Sequence, residues 1–212
     1  CDPESSSDVL IEDSLFDTGD DCIALKSGRN ADGRRLATPV ERVVVRRCTM
    51  KAGHGGVTIG SEISGGARDV FVERCEMSSP DLERGLRIKT NAMRGGVVEN
   101  VFVRDVTIGE VGNAIDVDML YEEGAKGSFL PTVRNVRVER MTVGKAVHAL
   151  FVRALEGAPL RGLVVRDSTF RNVAKGNRIE GTVDVDLGNV TFLPRPAPPK
   201  EKPGAAVLAP QK

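Results

Sequence analysis

The sequence predicts an all-β fold, a parallel β-helix of about six coils. Three observations lead to this prediction: short strands of alternating apolar and polar residues recur along the chain, two strand patterns return in a fixed order, and each repeat is too short to bury its apolar face alone. The 23 glycines, the recurrent valines and the low aromatic content of 4% also favour many short strands joined by turns.

The first strand pattern occurs six times and recurs every 27 to 35 residues. Its copies are residues 8–13, 42–47, 69–74, 100–105, 135–140 and 162–167. Side chains alternate between the two sides of a strand, so each copy presents one apolar face that requires a core.

The second strand pattern follows the first in each repeat. Its copies are residues 22–26, 56–60, 85–89, 114–118 and 149–153. Stacking the repeats places equivalent strands about 4.8 Å apart and closes a continuous interior. Helical solenoids are excluded because no repeat contains a stretch of 3.6-residue period. A two-sheet sandwich is the remaining rival, but its strands need not repeat one consensus in one order.

The chain divides into one domain and a tail. With 212 residues and 40% apolar content, residues 1–193 suffice for a single β-helix domain. Residues 194–212 contain six prolines and predict a disordered or polyproline-like tail.

Charge and cysteine content limit the possible partners. Lys plus Arg and Asp plus Glu both total 30, so no overall electrostatic field favours nucleic acid or an anionic membrane.

The four cysteines form no CxxC pair, and no metal site is predicted. Cys48 and Cys75 share one position in adjacent coils, where parallel side chains rarely have disulfide geometry, so we expect free buried thiols. His148 has no acidic sequence neighbours and is interpreted as structural. No signal peptide or membrane-spanning run is visible.

Candidate catalytic residues follow from aligning the second strands coil on coil. The alignment places Asp20 level with His54, with Asp21 beside both. Adjacent residues of a strand point to opposite sides, so both aspartates reach one site only if the backbone turns, for which Gly19 is well placed. An isolated Gly-Asp-Asp is more typical of a solvated Asx turn.

Two cationic residues lie one coil further along. Arg87 and Lys89 are two residues apart and point to the same side, opposite the inward Leu86 and Ile88. We therefore expect a cationic surface beside the two carboxylates, although such a pair alone is also typical of an ordinary solvated strand face.

Three motifs in this order, Gly19-Asp20-Asp21, Gly53-His54-Gly55 and Arg87-Ile88-Lys89, resemble the signature of glycoside hydrolase family 28, the polygalacturonases. The resemblance extends over residues 17–28 and 53–62, and more loosely to about residue 192. It implies a right-handed parallel β-helix that hydrolyses α-1,4-galacturonosyl linkages of pectin or polygalacturonate with inversion. It also implies no cofactor, a monomer, and a secreted or periplasmic location.

The resemblance assigns roles residue by residue. Asp20 is the implied general acid, its pKa expected to be raised by the neighbouring carboxylate of Asp21, which helps to hold and deprotonate the water. His54 is expected to tune the acid, and Arg87 and Lys89 to bind the substrate carboxylate.

A looser match concerns Tyr121, which follows the second strand of the next coil where the family often has a sugar-contacting tyrosine. A surface or cap aromatic is an equally good interpretation.

The sequence departs from the family at its start. The family has an Asn-Thr-Asp motif about one coil before the paired aspartates, and this motif would end just before Cys1. The resemblance therefore implies an N-terminally truncated chain whose own activity is open and whose first coil exposes an unpaired strand edge prone to aggregation. Two alternatives remain: a non-catalytic, polysaccharide-binding β-helix, and a calcium-dependent pectate lyase, which would need a cluster of acidic ligands.

Overall fold

The structure is a computed structural model that describes residues 1–194 and 196. The predicted tail, residues 194–212, lies outside the described residues except for Pro194 and Pro196. The elements in chain order are β1 (Ser7–Glu12), β2 (Leu15–Phe16), β3 (Ile23–Leu25), α1 (Asn30–Leu36), β4 (Val40–Arg46), β5 (Thr49–Met50), β6 (Val57–Gly60), β7 (Ala67–Glu73), β8 (Glu76–Met77), β9 (Arg84–Lys89), β10 (Val97–Arg104), β11 (Thr107–Asp118), β12 (Thr132–Glu139), β13 (Thr142–Arg153), β14 (Leu160–Val173), β15 (Arg178–Glu180) and β16 (Val183–Pro194).

These strands stack in parallel register and form the predicted β-helix. Face A consists of β1, β4, β7, β10, β12 and the first parts of β14 and β16. Face C, which carries the second strand pattern, consists of β3, β6, β9, the later parts of β11 and β13, and β15. The prediction of a parallel β-helix is confirmed.

Each coil also contains a short strand that the sequence interpretation missed. Face B begins with the two-residue strands β2, β5 and β8 and continues in the first parts of β11 and β13. The two predicted strands of each repeat are therefore present as faces A and C, but the prediction missed the third side of the coil. The helix α1 was also not predicted, and it forms a seven-residue excursion after face C of the first coil.

The core is a set of apolar columns, each built from equivalent residues of successive coils. On face A one column consists of Val43, Val70, Val101, Val136 and Leu163, all with 0% of their surface exposed. Burying each such side chain stabilises the fold by about 1.5–3 kcal/mol. The alternation of apolar and polar residues along each strand thus determines which side of the strand faces the core.

The corner between faces A and B is made by a residue in the left-handed backbone conformation. The corner residues, with φ between 49° and 56°, are Asp13, Arg47, Arg74, Asp105, Arg140, Asp167 and Asn189. This conformation is unfavourable for residues other than glycine, and ion pairs between coils offset part of the cost. The Arg47 guanidinium, for example, donates to the Asp13 carboxylate at 2.7 Å.

An outward column on face A alternates in charge from coil to coil and is called the charge ladder here. Its members are Glu12, Arg46, Glu73, Arg104, Glu139 and Arg166. Ion pairs join Arg46 to Glu12 at 2.8 Å and Arg104 to Glu73 at 2.5 Å. The hydrogen bond from Arg104 lowers the pKa of Glu73. Opposite charges facing each other across strands stabilise the pairing.

The first coil is partly covered along face C. The backbone N–H groups of Ala24 and Lys26 donate to the carbonyl oxygens of Cys1 and Pro3, both at 3.0 Å, so residues 1–5 run beside β3. The expectation of an unpaired edge therefore does not hold for β3, whereas β1 pairs with β4 alone among the described strands. Within the same part of the chain, no helix has the length and apolar character to cross a bilayer.

Candidate active site

A cleft of about 350 Å³ lies along face C of the first coils. Its lining residues are Asp2, Asp20, Asp21, Ala24, Lys26, Arg29, His54, Gly60, Ser61, Glu62, Lys89, Arg94, Tyr121 and Glu122. Five of the six predicted site residues are among them, and Arg87 is not. Five of the residues therefore lie together as the sequence interpretation expected, whereas the environment of individual side chains differs from that expectation.

Asp20 and His54 occupy equivalent positions in the first two coils. The pairing of Ile23 with Val57 continues backward, and the His54 backbone N–H donates to the Asp20 carbonyl oxygen at 3.1 Å. The side chains also meet, with 3.1 Å between His54 Nδ1 and Asp20 Oδ1. The Asp20 side chain is 83% exposed, so it is accessible to a ligand.

The two aspartates diverge within one bend. Asp20 points into solvent, and its Oδ1 accepts the Asp21 backbone N–H at 2.7 Å. Asp21 points inward and is 5% exposed. Gly19 does not have a positive φ, and a Cβ at that position would meet open space. The bend therefore does not use the conformational freedom of glycine that we expected.

Asp21 is the centre of a buried polar cluster built by three adjacent face C strands. Thr58 Oγ1 donates to Asp21 Oδ1 at 2.8 Å, an Arg87 guanidinium N–H donates to the same oxygen at 3.1 Å, and Lys89 Nζ donates to Oδ2 at 2.7 Å. The side chains of Arg87 and Lys89 are only 7% and 10% exposed. The expected solvent-facing cationic surface is therefore wrong, because Asp21 and Thr58 cover that side of β9.

Two glycines leave the space that this arrangement needs. A Cβ on Gly55 would lie 2.2 Å from Thr58 Oγ1 and 2.8 Å from Asp21 Oδ1. Gly53 has φ of 149°, and a Cβ there would lie 2.5 Å from the Asp20 carbonyl oxygen. The Gly-His-Gly motif thus lets the second coil approach both aspartates closely, because a side chain at either glycine would displace them.

Tyr121 follows β11 and borders the cleft. Its ring centre lies 5.3 Å from the Arg87 guanidinium carbon and 5.1 Å from Lys89 Nζ, within the range of cation–π attraction. Burial raises the pKa of its hydroxyl, which therefore stays protonated at neutral pH. The structure brings this residue to the same cleft as the two aspartates.

The protonation of Asp20 differs from our expectation. Its pKa is lowered, chiefly because the Asp21 backbone N–H donates to it, while partial burial opposes this effect and His54 reinforces it. The expected rise from the neighbouring carboxylate is absent, because the Asp21 carboxylate lies among Arg87 and Lys89. Asp20 of the free protein is therefore ionised at neutral pH.

Several cleft residues were missed by the sequence interpretation, chiefly Lys26, Arg29, Glu62, Arg94 and Glu122. A signal existed for Lys26, since extending the aligned strands by one position places it in one column with Gly60 and Lys89. The others lie in loops between strands, where no periodicity marks them.

Cys48, Cys75 and His148 lie outside the cleft. Cys48 and Cys75 are buried free thiols, and burial raises the pKa of Cys75 to about 11. His148 Nδ1 contacts the Gly176 carbonyl oxygen at 3.0 Å, and its structural role stays a prediction. Among residues 1–194 and 196, no group of three or more His, Cys, Asp or Glu side chains is arranged to hold a metal ion.

Comparison with known proteins connects this geometry to one family. The family model for glycosyl hydrolases family 28 matches residues 1–149. A probable polygalacturonase of Vitis vinifera is 28% identical over 201 residues, which are 92% of this chain and 40% of the relative. A polygalacturonase of Nicotiana tabacum is 36% identical over 176 residues, 76% of this chain and 40% of the relative. The chain thus spans about two fifths of the length of these relatives.

Solved structures show the same similarity. The crystal structure of a hyperthermoactive exopolygalacturonase from Thermotoga maritima superimposes with a TM-score of 0.82 at 34% identity, covering 91% of this chain and 43% of that chain. A polygalacturonase from Erwinia carotovora gives a TM-score of 0.64 at 25% identity, covering 90% of this chain and 42% of that chain.

Proposed function

The chain belongs to glycosyl hydrolases family 28, and on that premise we propose that it forms the catalytic cleft of an enzyme that hydrolyses α-1,4-galacturonosyl linkages of polygalacturonate or pectin with inversion. One observation carries the proposal. The exposed Asp20 carboxylate contacts His54 at 3.1 Å in a cleft that Asp21 and Lys89 also line, and ion pairs with Arg87 and Lys89 fix the Asp21 carboxylate. One accessible acid beside one fixed carboxylate matches the two roles that inverting hydrolysis requires.

Asp20 is the proposed general acid. It donates its proton to the glycosidic oxygen as the bond to the anomeric carbon breaks, and the leaving sugar departs as an alcohol. The lowered pKa of Asp20 leaves only a small protonated fraction at neutral pH, and this fraction grows as pH falls, so the rate should increase toward acidic pH. His54 tunes this equilibrium through its contact with Asp20 Oδ1.

Asp21 is proposed to help position the attacking water. An ionised carboxylate has about four acceptor sites, and Thr58, Arg87 and Lys89 occupy three of them. The remaining site can accept a hydrogen bond from water, while the two cations fix the carboxylate in place. The second water-holding carboxylate that the family resemblance implies is not among residues 1–212.

Substrate binding is assigned to Arg87, Lys89 and Tyr121. Lys89 borders the cleft and has donors beyond its bond to Asp21, so it can meet the uronate carboxylate directly. Arg87 contributes positive charge from beneath, and the Tyr121 ring offers a face for a sugar. We further propose, from the family resemblance, that the protein is a monomer that acts on extracellular or periplasmic polysaccharide.

The test is an assay of reducing ends released from polygalacturonate, with and without a chelator, combined with NMR of the first product. We expect chelator-independent release, an initial β-anomer, higher rates at acidic pH, and loss of the signal in Asp20→Asn. Ultraviolet absorbance from an unsaturated uronate would instead indicate elimination. Binding of polygalacturonate without release of reducing ends would favour the non-catalytic alternative and contradict the proposal.

A further inference from the structure

A second cationic group lies on the cleft wall formed by the loop before α1. Arg29 borders the cleft, and its side chain is 57% exposed. Its nearest carboxylate oxygens, on Glu62 and Glu123, both lie 3.8 Å from guanidinium nitrogens. This distance exceeds a hydrogen bond, so the guanidinium donors remain available to a ligand, while the two carboxylates orient the side chain by charge.

The backbone that carries Arg29 is fixed on both sides. The Gly28 backbone N–H donates to Glu4 Oε1 at 3.0 Å, and the Asn30 backbone N–H donates to Ser64 Oγ at 2.8 Å. The Asn30 side-chain oxygen also accepts a bond from Arg94, which is only 1% exposed. The backbone on both sides of Arg29 is thus held in place before a ligand binds, so binding does not require the loop itself to become ordered.

Gly28 itself is required by this loop. It has φ of 82°, and a Cβ there would lie 2.6 Å from the Gly33 Cα. The loop and the first turn of α1 therefore pack too closely for any other residue, and this packing holds Arg29 at the cleft.

Lys26, the residue after β3, adds a second cation to the same region of the cleft. Its ammonium group lies 3.0 Å from Asp2 Oδ2 and 3.8 Å from Glu62 Oε2, and it borders the cleft. Lys89 differs from Arg29 and Lys26, because its ammonium group donates to the buried carboxylate of Asp21. The cleft thus contains an inner cation engaged by a catalytic carboxylate and an outer pair with donors to spare.

From this difference we propose that Arg29, assisted by Lys26, binds the carboxylate of a second uronate residue. The cleft would then select chains in which two uronates near the scissile bond are both unesterified. This inference rests on the proposed function and makes Arg29 a specificity-determining residue, because its guanidinium fork matches a carboxylate and has no comparable match in a methyl ester.

The test measures binding by calorimetry of galacturonic acid, trigalacturonate and fully methyl-esterified trigalacturonate. The proteins are the wild-type chain, Arg29→Gln, Arg29→Lys and the control Arg35→Gln. Arg35 lies in α1, is 69% exposed and pairs with Asp32, so it matches Arg29 in charge and location but not in access to the cleft.

We expect Arg29→Gln to weaken trigalacturonate binding by about tenfold to a hundredfold, the loss typical of hydrogen bonds to a charged group. Arg29→Lys should lose less because it keeps the charge. Arg35→Gln should bind like wild type, and binding of the monosaccharide and of the methyl ester should not depend on Arg29.

Three results would overturn the inference in different ways. If Arg29→Gln binds trigalacturonate as wild type does, the assignment of Arg29 fails and the proposed function stands. If the variant loses equal affinity for the monosaccharide, Arg29 contacts the first uronate and not a second. If wild type neither binds nor hydrolyses any unesterified uronate, the proposed function fails, and this inference fails with it.

Discussion

Replacing Asp21 by Asn tests the buried cluster beneath the cleft. The change keeps the shape of the side chain and removes the charge that two cations share. Arg87 and Lys89, 7% and 10% exposed, would both lose the carboxylate that pairs with them. The new amide nitrogen would also present donors to groups that are themselves donors.

The expected loss of stability is large. Removing one partner of a buried ion pair typically costs about 3–5 kcal/mol, because the remaining charge stays desolvated and unpaired. With a urea m-value of about 2 kcal/mol/M, this loss lowers the unfolding midpoint by roughly 1.5–2.5 M. Asp20→Asn is the matched control, because Asp20 is 83% exposed and its substitution should change the free energy of unfolding by less than about 0.5 kcal/mol.

The measurement is urea unfolding followed by circular dichroism at neutral pH. A third variant, Asp21→Asn with Lys89→Met, should recover part of the loss, since it removes one of the two unpaired charges. Equal midpoints for Asp21→Asn and Asp20→Asn would refute the reasoning, because the buried carboxylate would then contribute no more than an exposed one.

Two further predictions concern the acid and the charge ladder. His54→Gln removes one of the contacts that lower the pKa of Asp20, although the main contact, the bond from the Asp21 backbone N–H, remains. The pKa of Asp20 should therefore rise, and the alkaline limb of the pH profile of kcat/KM should move to higher pH. A limb that stays in place or moves to lower pH would contradict the assigned contact. Glu73→Arg places like charges next to each other in the charge ladder and should lower the free energy of unfolding by roughly 1 kcal/mol, more at low salt. Glu76→Arg, an exposed residue of face B between two threonines, is its control and should leave stability nearly unchanged in the same denaturation assay.

The fold was largely predictable because parallel stacking repeats one register. Matching Ile23 with Val57 and Leu86 was sufficient to bring Asp20 level with His54, since the register of parallel strands continues beyond the paired residues. The strands of face B escaped prediction because two residues, as in β2, are too few to display a period.

The surroundings of the predicted site residues were harder to obtain from the sequence. Alternation in β9 correctly placed Arg87 and Lys89 on one side, but it contains no information on what covers that side. The covering groups, Asp21 and Thr58, come from two other coils. The pKa of Asp20 was predicted in the wrong direction because the sequence shows that two carboxylates are adjacent, but not that the Asp21 backbone N–H donates to Asp20 while the Asp21 carboxylate turns toward Arg87 and Lys89.

The alternating signs of the charge ladder distinguish odd coils from even ones. The apolar columns cannot do this, because Val43, Val70 and Val101 are identical and a strand that skipped one coil would find the same valine surface. Such a skip would instead set Glu12 against Glu73 or Arg46 against Arg104, and the repulsion would oppose the misaligned stack. Order along the solenoid is therefore encoded on its outside, while cohesion comes from its inside.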